Sequence, residues 1–352
     1  MIVVVAPHPS TENQKDGMIQ RVAHIDSLMA SSPRMYLDIS VRRFVRKQVL
    51  VEGLATIHRL NLVVHAFQIA RLIKQADLLY IHSAYNALKA CLFPTKAHVV
   101  FDAHGIVPEE LAQEGQTRAA RLFAFAEGRV LRRCNTLVCV TRSMLAHFKA
   151  KHGDRPDREE IVLPILPRLG KAADASNALQ AARPDDNVIY AGGMQVWQNV
   201  DKMLDAAQTQ PGMRYTFLTG DLQRFQRRLA DAGIASATCL SVSPEAVKDF
   251  YLTHQYGFIL RDEVLVNQVA CPTKLVEYLY WGVLPIVVTP RIGDFDDETL
   301  HGVTLEDFRR GELPGPETRA AMREHNQRTV TSVLASAQAN QDRLQQLLRL
   351  SA

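Results

Sequence analysis

Twice along this chain, short apolar runs alternate with longer amphipathic segments, and that alternation restricts it to parallel sheets wrapped by helices. In the first half the strand candidates are Ile2–Ala6, Met35–Ile39, Leu78–His82, His98–Asp102 and Thr136–Val140. Helical apolar spacing between them predicts helices over Met18–Met29, Ile57–Gln75 and Arg118–Arg132. After Glu160 comes IVLPILPRLGKAADASNALQAARPDD, whose prolines and small polar residues mark a connection. The alternation restarts with strands at Val188–Ala191, Tyr215–Thr219, Gly257–Arg261 and Leu284–Thr289. Helices are expected between them over Asp201–Gln208, Gln223–Ala232, Pro244–Tyr251 and Thr273–Trp281. From about Glu317 the pattern is helical to the C-terminus. The expected organisation is a domain over 1–165, a linker over 166–186, a second domain over 187–330 and a closing helix over 331–352.

A chain of 352 residues is ample for a full core in each half. Its five cysteines (Cys91, Cys134, Cys139, Cys239 and Cys271) form no C-x-x-C pair, which favours free thiols in a reducing compartment over a disulfide framework or a zinc site. The opening MIVVVAPHPS reads as a buried first strand rather than a signal peptide, and no run approaches the length of a membrane-spanning helix. A cytoplasmic protein is expected. Charge is uneven: the net is +7 through Glu160 and −3 beyond it. Arg42, Arg43, Arg46 and Lys47 form one basic cluster, and Arg118, Arg121, Arg129, Arg132 and Arg133 another. Such a bias suits peripheral contact with the inner face of a membrane or a phosphate-bearing acceptor, and equally a solvated helix face. Nucleic acid is not an expected partner, because no aromatic-interleaved basic motif accompanies the charge.

In open α/β sheets ligands bind beyond the carboxyl ends of the strands, so the informative segments are strand-to-helix turns. The first, Pro7 to Gly17, offers one glycine before a helix but no G-x-G-x-x-G, which argues against a dinucleotide cofactor. The second is FDAHGIVPEEL, where His104 can bond a sugar hydroxyl or move a proton, and Glu109 and Glu110 suit the start of a helix. The third is YAGGMQVWQN, where Gly192 and Gly193 permit close approach to a pyrophosphate. The fourth is RDEVLVNQVACPTKLVEYLYWG. Pro272 or Thr273 opens a helix there, Glu277 can accept both hydroxyls of a ribose, and Arg261 and Lys274 can neutralise a departing diphosphate. A plain Lys274–Glu277 surface pair is the competing reading of that helix. Asp294-Phe295-Asp296 reads as a solvated turn, and no metal is expected.

Taken in order, DAHGIVPEE, VTRSM (Val140–Met144), YAGGMQVWQNVDKMLDA and N-x-x-x-x-P-T-K-L-V-E-Y-L-x-x-G resemble the glycosyltransferase family 4-like group of GT-B enzymes, especially members that assemble bacterial surface polysaccharides. The resemblance implies two Rossmann-like domains facing a cleft, with the final helix returning to the N-terminal domain. It places Glu277 at the ribose-binding carboxylate and His104 beside the transferred sugar. It also implies retention of anomeric configuration without a metal. Two departures stand out. The first of the two glutamates common in such relatives falls here on Val269, which moves the donor-sugar contact to Asn267, Gln268 or the Ala270–Pro272 backbone. The phosphate-holding Arg and Lys positions fall on Gly193 and Gln198, which moves that role to Arg261 and Lys274.

The expected function is transfer of a hexose from a nucleoside-diphosphate sugar, a co-substrate rather than a cofactor, to a saccharide or lipid-linked saccharide. The expected site comprises His104, Arg261 and Lys274 for the chemistry, with Gly17, Gly192, Gly193, Asn267, Pro272, Thr273 and Glu277 on the donor. His82, Tyr85 and Asn86 are expected at the acceptor. The competing function is a catalytically reduced paralogue that binds a sugar nucleotide or a partner transferase.

Overall fold

The computed structural model describes residues 1–10, 17–167, 169, 172–234 and 236–350. They form two compact units, one made of Met1–Ile165 with the C-terminal stretch from Ser336, the other of Leu166–Ala335. In the first unit β1 (Ile2–Val5) is followed by α1 (Gly17–Leu28), β2 (Arg34–Ser40), β3 (Gln48–Glu52), β4 (Ala55–Asn61), α2 (Ala66–Lys74), β5 (Leu78–His82) and α3 (Ser83–Ala90). Then come β6 (His98–Ala103), α4 (Val107–Gln113), α5 (Thr117–Leu131), β7 (Thr136–Cys139), α6 (Arg142–His152) and β8 (Glu159–Val162). The sheet order is β3-β4-β2-β1-β5-β6-β7-β8. Every neighbouring pair is parallel except β3 with β4. β1, β5 and β7 are buried along their whole length, as continuous apolar runs must be when helices cover both faces.

The second unit begins with α7 (Ala172–Gln180), inside the stretch read as a connection, and Ala178 of that helix is fully buried. It continues with β9 (Asn187–Ala191), α8 (Val200–Thr209), β10 (Arg214–Leu218), α9 (Leu222–Asp231), β11 (Thr238–Leu240), α10 (Val247–Tyr251) and β12 (Tyr256–Ile259). α11 (Leu265–Val269), α12 (Thr273–Trp281), β13 (Leu284–Val287), β14 (Val303–Thr304), α13 (Leu305–Arg310) and α14 (Pro316–Leu350) complete it. Its sheet is wholly parallel in the order β11-β10-β9-β12-β13-β14. Tyr190, Phe217, Phe225, Phe258 and Phe308 fill one face of its core.

α14 begins in the second unit and ends in the first. Its last turns place Leu344 and Leu348 in the core beside Ile2, Val4 and Tyr36. Asn340 donates to the Val162 carbonyl at 2.9 Å, and Arg343 meets Glu159 at 2.7 Å. The expected returning helix is therefore present.

One expected element is corrected. Ile57–Gln75 is not a single helix: its first residues form β4, which pairs with β2 on one side and β3 on the other. The helical spacing of Ile57, Leu60, Val64 and Phe67 is outweighed by two ladders of hydrogen bonds, and only Ala66–Lys74 is helical. The segment expected as helix over Pro244–Tyr251 is helical throughout, a 3₁₀ turn over Pro244–Ala246 running into α10.

Candidate active site

In the first unit the strand order reverses between β1 and β5, the position where open α/β sheets hold ligands. Beyond the carboxyl ends of β5 and β6 stands a buried polar cluster. Asp102 has no exposed surface and accepts two hydrogen bonds from the Arg21 guanidinium of α1, both at 3.1 Å, and one from the Tyr80 hydroxyl at 2.9 Å. Burial alone would raise the Asp102 carboxyl, but Arg21 and the two histidines outweigh it and hold it at about 2. His82 Nδ1 lies 3.0 Å from His104 Nε2, so one ring donates to the other. Burial drives both imidazoles toward the neutral form, His104 to about 4. His82 is wholly buried, while His104 keeps a tenth of its side chain exposed. Among the described residues, His104 Nδ1 has no partner.

The ligand atoms of His82, Asp102 and His104 lie within 4.8 Å of one another, a spacing at which a metal ion could be held. The chemistry of the set opposes it, because the Asp102 carboxylate already neutralises Arg21 and accepts three hydrogen bonds. The other residues expected here are placed differently. Asn86 is buried, donating to the His82 carbonyl at 2.8 Å and accepting from Lys89 at 3.1 Å. Tyr85 is exposed and packs edge-on against Phe123. Gly17 opens α1, and residues 11–16 just before it lie outside the described residues. Glu109 is tied to Lys151 of α6 at 2.6 Å rather than simply decorating a helix start.

In the second unit the strand order reverses between β9 and β12. Gly192 and Gly193 follow β9, Arg261 follows β12, and α12 brings Lys274 and Glu277 to the same end. A Cβ at Gly192 would stand 2.6 Å from Lys274 Nζ and 2.8 Å from the Tyr190 hydroxyl, so any other residue there would push the Lys274 ammonium or the Tyr190 ring aside. Lys274 Nζ lies 3.9 Å from the centre of the Tyr190 ring and donates to Gln198 Oε1 at 3.2 Å. Burial, and then the charge of Arg261, lower the Lys274 ammonium well below its ordinary range. Arg261 is lowered by burial too, and donates to the Trp197 carbonyl at 3.3 Å. Among the described residues neither cation is within ion-pair distance of a carboxylate, so the Lys274–Glu277 surface pair is absent. Two half-buried, like-charged side chains with no carboxylate in ion-pair range suit an anion.

Glu277 accepts a hydrogen bond from the Tyr251 hydroxyl at 2.9 Å. Burial raises its carboxyl, with Tyr251 and Lys274 acting the other way. α12 starts at Thr273 behind Pro272 and ends at Gly282, whose left-handed φ of 70° forms a Schellman cap with Val283 donating to the Tyr278 carbonyl. Arg183 donates to the Trp281 and Gly282 carbonyls, and its burial lowers it to about 9. Asn267 is buried and donates to the Asp262 carbonyl at 2.8 Å. Val269 is buried as well. Asp296 caps its own turn, accepting from the Glu298 and Thr299 amides.

Sequence reasoning did not single out Arg21, Tyr80, Asp102 or Tyr251. Asp102 lies within the DAHG segment, so its motif was visible. Arg21, Tyr80 and Tyr251 carry no local signal, since each reaches the site only through the fold.

Residues 3–164 match the sequence profile of Glycosyltransferase Family 4. No curated protein matches the chain. Among solved structures, sucrose-phosphate synthase from Thermosynechococcus elongatus superposes with a TM-score of 0.67 at 12% identity, covering 99% of this chain and 98% of that one. HepE of Anabaena, solved with UDP and glucose, superposes at 0.64 with 12% identity over 97% and 98% of the two chains. The UDP-forming α,α-trehalose-phosphate synthase from Burkholderia xenovorans gives 0.60 at 11% identity over 99% of each. Fold and profile together define the class, a glycosyltransferase with the GT-B fold. Within that class, its first unit is of the family 4 type.

Proposed function

We propose that the chain transfers a hexose from a nucleoside-diphosphate sugar to a saccharide or lipid-linked saccharide, on the cytoplasmic side, in the assembly of a cell-surface polysaccharide. The observation that carries this reading is the pair Arg261 and Lys274, half-buried beside the Gly192–Gly193 turn with no carboxylate in ion-pair range among the described residues. A diphosphate supplies the missing negative charge, and Glu277, held by Tyr251, takes the ribose hydroxyls. UDP is the nucleotide seen in HepE, which makes UDP-sugars the first donors to try.

In the proposed reaction the bond from the anomeric carbon to the diphosphate oxygen breaks, and its electron pair leaves with the phosphate. Arg261 and Lys274 stabilise that charge more in the transition state than in the bound donor. The acceptor oxygen bonds to the anomeric carbon on the same face, and its proton passes to the departing phosphate oxygen. This route retains configuration and asks no metal of the protein. In the first unit, His104 holds a neutral imidazole beside the transferred sugar in this reading, its Nδ1 buried and without a partner among the described residues.

The test is donor binding by calorimetry, with turnover followed as nucleotide release. Glu277→Ala should weaken UDP-sugar binding by tenfold or more, and unchanged affinity would sink the ribose role. Buried Val269 motivates the competing scaffold reading. Tight donor binding with no transfer and no hydrolysis, whatever the acceptor, would favour that alternative.

A further inference from the structure

The carboxyl edge of β2 and β4 carries an apolar surface that nothing among the described residues of the first unit covers. Val41, Val45, Val63 and Val64 are each at least half exposed, and Phe67 is 95% exposed. They are held in place rather than loosely displayed. Buried Asn61 donates to the carbonyls of Val41 and Arg43 and accepts from the amides of Val63 and Val64, so one side chain clamps both loops to the same edge. Phe44 lies beneath Arg43 and Arg59, whose guanidinium groups stand 5.5 and 6.0 Å from its ring centre. Interleaved with the valines are exposed Arg42, Arg43, Arg46 and Lys47. From Val41 to Lys74 there are seven Lys or Arg residues and a single carboxylate, Glu52.

We propose that this edge is a docking surface for an anionic lipid bilayer. Apolar side chains among cations, almost free of carboxylates, match the interfacial region of such a membrane, where side chains enter the acyl boundary and arginines meet headgroup phosphates. A second copy of the chain fits less well, because a two-fold contact would press the same cations against each other.

β2, β4, β5 and β6 run parallel, so the surface lies at the same edge of the sheet as His82 and His104. Three strand spacings separate β4 from β5, roughly 14 Å. The surface thereby deepens the transferase reading, on which this part rests, by specifying a lipid-linked acceptor presented from the plane of the membrane.

Co-sedimentation of the full chain with vesicles tests it, using phosphatidylcholine alone and phosphatidylcholine mixed with phosphatidylglycerol. The chain should bind only the mixed vesicles, and less at high salt. Val63→Asp/Phe67→Asp and Arg42→Glu/Arg46→Glu should each cut binding by at least tenfold. Arg224→Glu/Arg227→Glu on α9, with an equal change of net charge, should leave it unaltered. Donor binding in solution, measured on every variant, should match the parent and so shows that each is folded. Vesicle binding that is absent, or equal in parent and patch variants, overturns the proposal, as does a dimer that Val63→Asp/Phe67→Asp dissociates. Vesicle binding without any response to sugar nucleotides would instead sink the transferase reading and leave the surface standing.

Discussion

His104 is kept neutral by its surroundings, and that has a consequence for stability. Its folded value of about 4 lies below the ordinary value near 6.5, with burial the largest cause and Arg21 adding to it against Asp102. Between those values the unfolded chain binds a proton that the folded chain refuses, so stability must fall as pH drops from 6.5 toward 4. Each such histidine contributes a slope of up to roughly 1.4 kcal/mol per pH unit. Asp102, held at about 2, adds stability above its ordinary range that is lost only in stronger acid. Urea denaturation across pH 4.5 to 6.5 should show the decline, and His104→Gln should flatten it by about one proton's share. An unchanged slope in that variant would mean that the imidazole is already charged in the folded protein. Lys274 is the counterpart in the second unit, since its position beside Arg261 asks for an anion rather than a proton.

At the scale of elements, α14 has the clearest energetic role. Leu344 and Leu348 are almost wholly buried among strands formed some three hundred residues earlier, so the first unit is incomplete without its own C-terminus. Leu344→Ala should destabilise that unit by about 2–5 kcal/mol, the cost of removing a buried leucine and leaving a cavity. Chemical denaturation followed by circular dichroism measures it, and a loss below about 1 kcal/mol would show that the helix only rests on the surface. The β3–β4 hairpin shows where sequence reading reaches its limit. Ile57, Leu60, Val64 and Phe67 have helical spacing, yet the first two are buried in a strand and the last two face solvent. Periodicity reports which side chains share a face only once the backbone type is known. For β1, β5, β6 and α12 the local pattern and the tertiary packing agree, and those elements were legible almost to the residue.

For the whole molecule, two sheets, parallel but for the β3–β4 hairpin, and two points of strand reversal follow from the repeated alternation of short apolar runs with amphipathic segments. A donor that binds only the folded second unit should raise the melting temperature. At a hundredfold saturation the gain is about 2.7 kcal/mol, and Lys274→Met should abolish most of it. An equal shift in that variant would place the nucleotide elsewhere.

The sequence alone determined the fold class, the placement of glycines and cations in strand-to-helix turns, and the basic bias of the first half. These are local properties, carried by hydrophobic period, turn chemistry and charge. Only the tertiary structure decided that Asp102 belongs to Arg21, that Tyr251 holds Glu277, and that Lys274 and Arg261 form no ion pair with a carboxylate among the described residues. It also decided that the valines beside the arginines face outward. Each depends on which distant segments the sheet order brings together, and no local pattern encodes that distance.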